Sequence, residues 1–190
     1  AQQDGMLAED EEAMENDELV MFMTLLLVAG NETTRNGISG GMLALLRNPD
    51  QRELLREKPA LIDGAVEEIL RYVSPILCFR RTTTHDTTIR GQVIAAGERV
   101  LMLYQSANRD EAVFADPDRF DITRDPNPHV AFGIGPHFCL GANLARLELK
   151  VMVQALIERF PDLRLAPGSQ PKRIASTLIG GIEKMHVVLS

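Results

Sequence analysis

The 190-residue sequence is short of several things, and each shortage removes a class of function. Its two cysteines, Cys78 and Cys139, are too few for a disulfide framework or a cysteine-rich zinc set. Neither sits in a Cys-x-x-Cys-His haem-attachment motif. Cations are outnumbered, 20 Lys and Arg against 27 Asp and Glu, for a formal net charge of −7. With no basic stripe interleaved with aromatics, nucleic acid is not the expected partner. The strongest apolar run, Leu19 to Gly30, is too short for a bilayer and leads into Asn31-Glu32-Thr33-Thr34, so no membrane span is expected. Internal repeats, low-complexity tracts, flavin motifs and iron–sulfur motifs are all missing. The cysteine usage fits a reducing cytoplasm. Ala1-Gln2-Gln3-Asp4-Gly5 offers no initiator Met, basic n-region or apolar h-region, and reads as the middle of a longer polypeptide.

What is present suffices for a folded core: 45% hydrophobic and 25% charged residues. Residues 1–16 read as a polar lead-in, and residues 17–190 as one domain or part of one. From Asp17, a plausible N-cap, a long helix is predicted to Leu46, ending before Asn48-Pro49. Shorter helices are expected near Pro49–Glu57 and Leu61–Val73, the second stopped by Ser74-Pro75. Thr82 to Ile89, Val93-Ile94 and Arg99 to Leu103 read as short strands divided by Gly91 and Gly97. Asn108 to His129 has little periodicity, and a loop of that length inside a domain is normally functional. Ala142 to Phe160 is predicted as a helix, apolar nearly all round and therefore buried. Val187–Leu189 closes the chain as a strand after Gly180-Gly181.

Cys139 carries the strongest chemical signal. It ends the loop Phe132-Gly133-Ile134-Gly135-Pro136-His137-Phe138-Cys139-Leu140-Gly141, directly before that helix. Helix-N-terminal amides and the positive end of the macrodipole favour a thiolate there. The glycines admit a large flat group, Phe132 and Phe138 supply apolar cover, and a single sulfur suits an iron whose equatorial ligands come from a cofactor. Three other constellations leave alternatives open. In Ala29-Gly30-Asn31-Glu32-Thr33-Thr34, Gly30 lets a flat ligand approach the helix, a Thr hydroxyl can open it locally, and Glu32 with Thr33 can relay protons; equally, small residues there can serve a helix–helix contact. Glu68 and Arg71 form an i, i+3 pair off the apolar arc Ile62, Val66, Ile69 and Val73, as a surface pair would. Arg81 and His137 could hold carboxylates of a cofactor or be solvated. Cys78 reads as packing.

Together these segments resemble the cytochrome P450 superfamily in its order. The ligand-loop pattern falls on Phe132, Gly135, Cys139 and Gly141, the oxygen-activation pattern on Ala29, Gly30, Glu32, Thr33 and Thr34, and the Glu-x-x-Arg pair on Glu68 and Arg71. The resemblance is to soluble bacterial members, with a lean toward enzymes that hydroxylate steroids and branched lipids. It implies a mainly α fold with small β-sheets, namely the C-terminal portion of the family fold: a central I-type helix, a K-type helix, short strands, a meander, the Cys-ligand loop and an L-type helix. The family's N-terminal half would be absent, leaving the central and ligand-following helices without partners for their apolar faces, and the isolated chain incomplete or haem-poor.

The resemblance further implies a monooxygenase with non-covalent haem b, whose iron Cys139 would ligate. Arg81, Phe132, Gly133, His137, Gly141 and Ala145 would contact that cofactor, and Glu32 and Thr33 would be catalytic. Val28, Ala29, Ile76, Leu77 and Ile179 would line a pocket for a hydrophobic small-molecule substrate. Glu68, Arg71 and Arg119, the last from Pro117-Asp118-Arg119-Phe120, would form a buried ion network, against the periodicity. Electrons would come from a ferredoxin-type donor and its NAD(P)H reductase, with Arg119, Arg146 and Lys150 as docking cations or merely solvated charges. A haem-thiolate peroxygenase and a non-enzymatic haem-binding module are the rival readings.

Overall fold

The computed structural model describes residues 14–189 as five helices and eight short strands. Helix α1 (Asn16–Arg47) starts one residue before the expected Asp17. Glu15 is its N-cap, and the Glu15 amide donates to Glu18 Oε2 at 3.2 Å, so the third helical residue supplies the capping group. The helix runs without interruption through Gly30 to Thr34. Thr33 Oγ1 donates to the Ala29 carbonyl at 2.7 Å. A carbonyl has two lone pairs, so this bond adds to the helix ladder without breaking it.

Helix α2 (Pro49–Glu57) begins on a proline, whose missing N–H would have been unpaired there anyway. Helix α3 (Ile62–Val73) ends at Ser74, which adopts φ 44° and ψ 76°. That left-handed cap is unfavourable for a non-glycine residue, and local bonds hold it. Ser74 Oγ donates to the Arg71 carbonyl at 2.9 Å and accepts from Asn108 Nδ2 at 2.8 Å.

The strands form four antiparallel pairs. Strand β1 (Cys78–Thr82) pairs with β4 (Arg99–Leu103), placing Arg81 opposite Val100. Strand β2 (Thr87–Ile89) pairs with β3 (Gln92–Ile94) in a hairpin, β5 (Arg164–Leu165) with β8 (Val187–Val188), and β6 (Lys172–Arg173) with β7 (Ile182–Lys184). The sequence placed the first strand at Thr82 to Ile89. It instead begins at Cys78 and is broken at 83–86, because Phe79 to Thr82 find β4 as partner. A single turn, α4 (Tyr104–Ala107), follows β4, and α5 (Ala142–Arg159) follows the cysteine loop.

The core joins the second half of α1 to α3 and α5, with Leu45, Ile69, Ile122, Leu149 and Val153 fully enclosed. Glycines set how closely α1 approaches α3: a Cβ at Gly41 would lie 2.7 Å from Ile69 Cγ2, and one at Gly40 2.6 Å from Val73 Cγ1. Helix α5 corrects its expected burial. Ala142, Leu149, Val153 and Ile157 are buried, but Leu144, Leu147, Val151 and Met152 are exposed, because only one face meets α1 and α3. Among the described residues, no helix is long and apolar enough to cross a membrane.

Candidate functional site

The chain that follows α4 is irregular, and buried α3 side chains hold it in place. Glu68 and Arg71 are both 0% exposed, so the resemblance was a better guide than the periodicity. Arg71 uses all five of its N–H donors. Nε and Nη2 reach Glu68 Oε2 and Oε1 at 2.7 and 2.8 Å, Nη1 reaches the carbonyls of Asn108 and Pro117 at 2.8 and 2.7 Å, and Nη2 reaches that of Arg119 at 2.9 Å. Glu68 also accepts from the Asp121 amide at 2.8 Å and from Asn127 Nδ2 at 3.1 Å. An ion pair taken out of water needs such saturation to offset its desolvation.

The third arginine of this network is not the expected one. The Arg119 side chain is 62% exposed, 3.6 Å from Asp121, and contributes only its backbone carbonyl. Arg124 brings Nε to 3.3 Å from Glu68 Oε2 instead, although that N–H is not aligned for a hydrogen bond. Its other nitrogens donate to the Ala115 carbonyl at 2.7 Å and to the Asp116 and Arg119 carbonyls at 3.2 Å.

Beyond this anchor the chain folds into the loop that ends at Cys139. Gly133 and Gly135 both adopt φ +74°, where side chains are strained. The Gly133 amide donates to Val130, a short turn covers Gly135–His137, and the Cys139 amide donates to the Phe132 carbonyl at 3.0 Å. Gly141 caps α5, and its carbonyl accepts from Ala145, which is half-buried. Cys139 is exposed. Around it Ile134, Phe138 and Leu140 are exposed too, an apolar rim that water does not favour.

Glu67, beside Glu68, faces the other flank of this loop. Its Oε1 accepts from Arg146 Nε at 2.6 Å, and its Oε2 meets Arg146 Nη2 at 3.0 Å and His129 Nε2 at 2.9 Å. Burial raises the Glu67 carboxyl, but the bonds from His129 and Arg146 and the charge of Arg146 outweigh it and hold the group down to about 2. The same bond keeps the Arg146 guanidinium above its ordinary value, against the opposing effect of burial.

The remaining expected site residues fall in separate places. Glu32 accepts from Arg35 Nη2 at 2.6 Å and from Asn36 Nδ2 at 3.5 Å, partners the sequence reading did not single out. Val28, Ala29 and Gly30 lie on the exposed half of α1, and nothing lies within 4 Å of a Cβ built at Gly30. Ile76, Leu77 and Ile179 do come together: Ile76 and Ile179 form a bridge, and the Leu77 amide donates to Leu178 at 2.9 Å. Arg81 and His137 are exposed. Cys78, half-buried on β1, donates its thiol to the Thr177 carbonyl at 3.4 Å.

An open cavity of about 700 Å³ lies away from the Cys139 sulfur, lined by Asp63, Glu67, Arg124, Arg146 and Lys150 among others. Its charges are largely paired, Lys150 with Asp63 at 2.7 Å and Arg146 with Glu67. Among the described residues no group of three or more His, Cys, Asp or Glu side chains gathers as a metal site. An exposed sulfur in an apolar rim, at the end of a glycine loop, fits a flat iron-bearing macrocycle.

Known proteins place this arrangement. The cytochrome P450 family profile matches residues 2–187. A steroid C26-monooxygenase of Mycobacterium tuberculosis is 48% identical over 183 residues, covering 95% of this chain and 49% of that protein. A methyl-branched lipid omega-hydroxylase of Mycobacterium bovis is also 48% identical over 183 residues, covering 95% of this chain and 42% of that protein. The crystal structure of CYP109E1 from Bacillus megaterium with testosterone superposes with a TM-score of 0.90 at 41% identity, covering 95% of this chain and 50% of that one. The chain thus spans about half the length of the curated relatives it matches.

Proposed function

This chain belongs to the cytochrome P450 family, and from that membership we propose that it forms the ligand-bearing part of a haem-thiolate monooxygenase acting on a hydrophobic substrate of the steroid or branched-lipid kind. The observation that carries this is Cys139, exposed within an apolar rim and hung by its amide from Phe132. The family's cofactor is a non-covalent haem b, which, bound through a thiolate, supplies the reductive activation of dioxygen.

The chain's own residues would do the rest. Cys139 would ligate the iron, and Phe132, Gly133, Phe138, Gly141 and Ala145 would hold the macrocycle, with Gly133 and Gly135 supplying the loop's left-handed turns. Arg81 and His137, both exposed cations or donors, receive its carboxylates. Gly30 leaves open space on α1, with Val28, Ala29, Ile76, Leu77 and Ile179 offering the apolar lining that excludes water from the substrate.

Thr33 and Glu32 deliver protons. Two contacts bear on that delivery: Thr33 must turn its hydroxyl from the Ala29 carbonyl, while Glu32 holds Arg35 through Oε2 and keeps Oε1 for the relay. Electrons come from a ferredoxin-type donor with its NAD(P)H reductase, as is typical of bacterial members of the family. Arg119, Arg146 and Lys150 each pair with a carboxylate, which leaves them little net charge to dock such a donor. The cysteine usage supports a cytoplasmic setting.

The full-length, haem-loaded protein, given a surrogate ferredoxin, its reductase and NAD(P)H, is expected to hydroxylate a steroid or methyl-branched lipid only in the presence of dioxygen. Turnover with peroxide alone would favour a peroxygenase. Failure of every apolar ligand to shift the haem spin state would favour a binding module without catalysis.

A further inference from the structure

We propose that Glu67 is a positioning residue for Cys139: with His129 and Arg146 it closes a clamp across the ligand loop, fastening the chain before the cysteine to the helix after it and fixing the Arg146 guanidinium against the loop. The inference rests on reading Cys139 as the ligand of the haem iron. His129 precedes the loop, Arg146 follows it on α5, and Glu67 on α3 takes bonds from both. His129 Nδ1 accepts from the Ala131 amide at 3.3 Å, so the ring proton sits on Nε2, aimed at Glu67.

Phe132 links the clamp to the cysteine by two routes. The Arg146 guanidinium lies 4.7 Å from the centre of the Phe132 ring, and that ring meets the Phe138 ring edge-on at 6.1 Å. The Phe132 carbonyl holds the Cys139 amide. A shift of Arg146 therefore moves the ring whose backbone carries the ligand. An ordinary surface pair has none of this: Lys150 and Asp63, on the same face, make one contact between exposed side chains. Here a fork-shaped donor meets both oxygens of one carboxylate, and a third donor, the His129 ring at 3% exposure, shares it. Glu67 and Glu68 thus divide the work, Glu68 fixing the chain at Asp121 to Asn127 and Glu67 fixing the two flanks of the loop.

The test uses the full-length, haem-loaded protein in mild urea. It follows the rate at which the carbon-monoxide difference band of thiolate ligation is lost, together with the iron's midpoint reduction potential. Glu67→Gln is expected to speed the loss about tenfold, as a charge-assisted bond should. Arg146→Lys keeps the charge but loses the fork and the stacking, so it speeds the loss by a like factor and leaves the potential in place. Arg146→Gln speeds the loss and also lowers the potential, because removing a nearby positive charge disfavours reduction. Lys150→Gln, the surface control, changes the rate by less than about twofold.

Wild-type rates for both Glu67→Gln and Arg146→Lys would overturn the clamp. So would an acceleration by Lys150→Gln as large as that by Glu67→Gln. A thiolate band missing from the unmodified protein would instead overturn the ligand assignment, and the clamp with it.

Discussion

Helix α1 changes character along its length. From Asn16 to Asn31 every side chain is exposed, although Leu19 to Val28 is the most apolar run in the sequence. From Thr34 to Leu45 most of the helix is buried against α3 and α5. Composition does not explain the difference, since Leu25 to Val28 are as apolar as Met42 to Leu45. The neighbours do. Gly40 and Gly41 admit Val73 and Ile69, while Gly30 meets nothing. The chain thus has an enclosed core where α1 meets α3 and α5 and an exposed apolar surface along the first half of α1, which is where the proposed chemistry would lie.

The sharpest way to break that contrast is to attack the enclosed side. Arg71→Ala would strand Glu68 as an uncompensated buried charge, and chemical unfolding should show a loss of about 3–5 kcal/mol. A loss below about 1 kcal/mol would mean that the network is not the anchor its geometry describes.

Two glycines of the one helix sharpen the same contrast. Gly41→Ala drives a Cβ into Ile69 and should cost about 1–3 kcal/mol in thermal unfolding. Gly30→Ala meets no neighbour among the described residues and should gain up to about 1 kcal/mol of helix stability in the haem-free protein. If Gly30→Ala instead costs as much as Gly41→Ala, another part of the protein packs there.

A smaller effect is expected in acid. The bonds to Glu67 hold its carboxyl down to about 2 from an ordinary 4.5. A depressed carboxylate contributes stability that is fully present above 4.5 and lost as the pH falls toward 2. Glu67→Gln should therefore flatten the fall in unfolding midpoint between those values while leaving the slope above pH 5 unchanged, which urea titrations across the range would check. An unaltered acid slope would mean that other carboxylates carry it, such as Asp121, where bonds from Thr123 and nearby arginines outweigh burial and lower the group.

Much of this was legible in the sequence because it is local. Periodicity and stop signals located the three α-helices of the first half to within a residue or two. Cys139 stands out because glycines, a proline and a following apolar helix surround it in one stretch. What was not legible is what depends on acceptors that every residue type offers. Arg71 is anchored by the carbonyls of Asn108, Pro117 and Arg119, and no side-chain pattern announces a carbonyl. The same blindness put Arg119 in the place that Arg124 takes, because both lie in an aperiodic stretch and only the fold shows which side chain turns inward. The burial of α5 was overstated for a different reason: apolar composition shows which residues could be buried, whereas among the described residues only one face of α5 meets neighbours.

The central claim is that Cys139, of the two cysteines, carries the iron. The most direct measurement is the ferrous carbon-monoxide difference spectrum of the full-length, haem-loaded protein, compared between Cys139→Ser and Cys78→Ser. The account predicts that Cys139→Ser abolishes the red-shifted band of thiolate ligation and that Cys78→Ser, whose hydroxyl can still donate to the Thr177 carbonyl, retains it. A thiolate band that survives Cys139→Ser, or that Cys78→Ser abolishes, would contradict it.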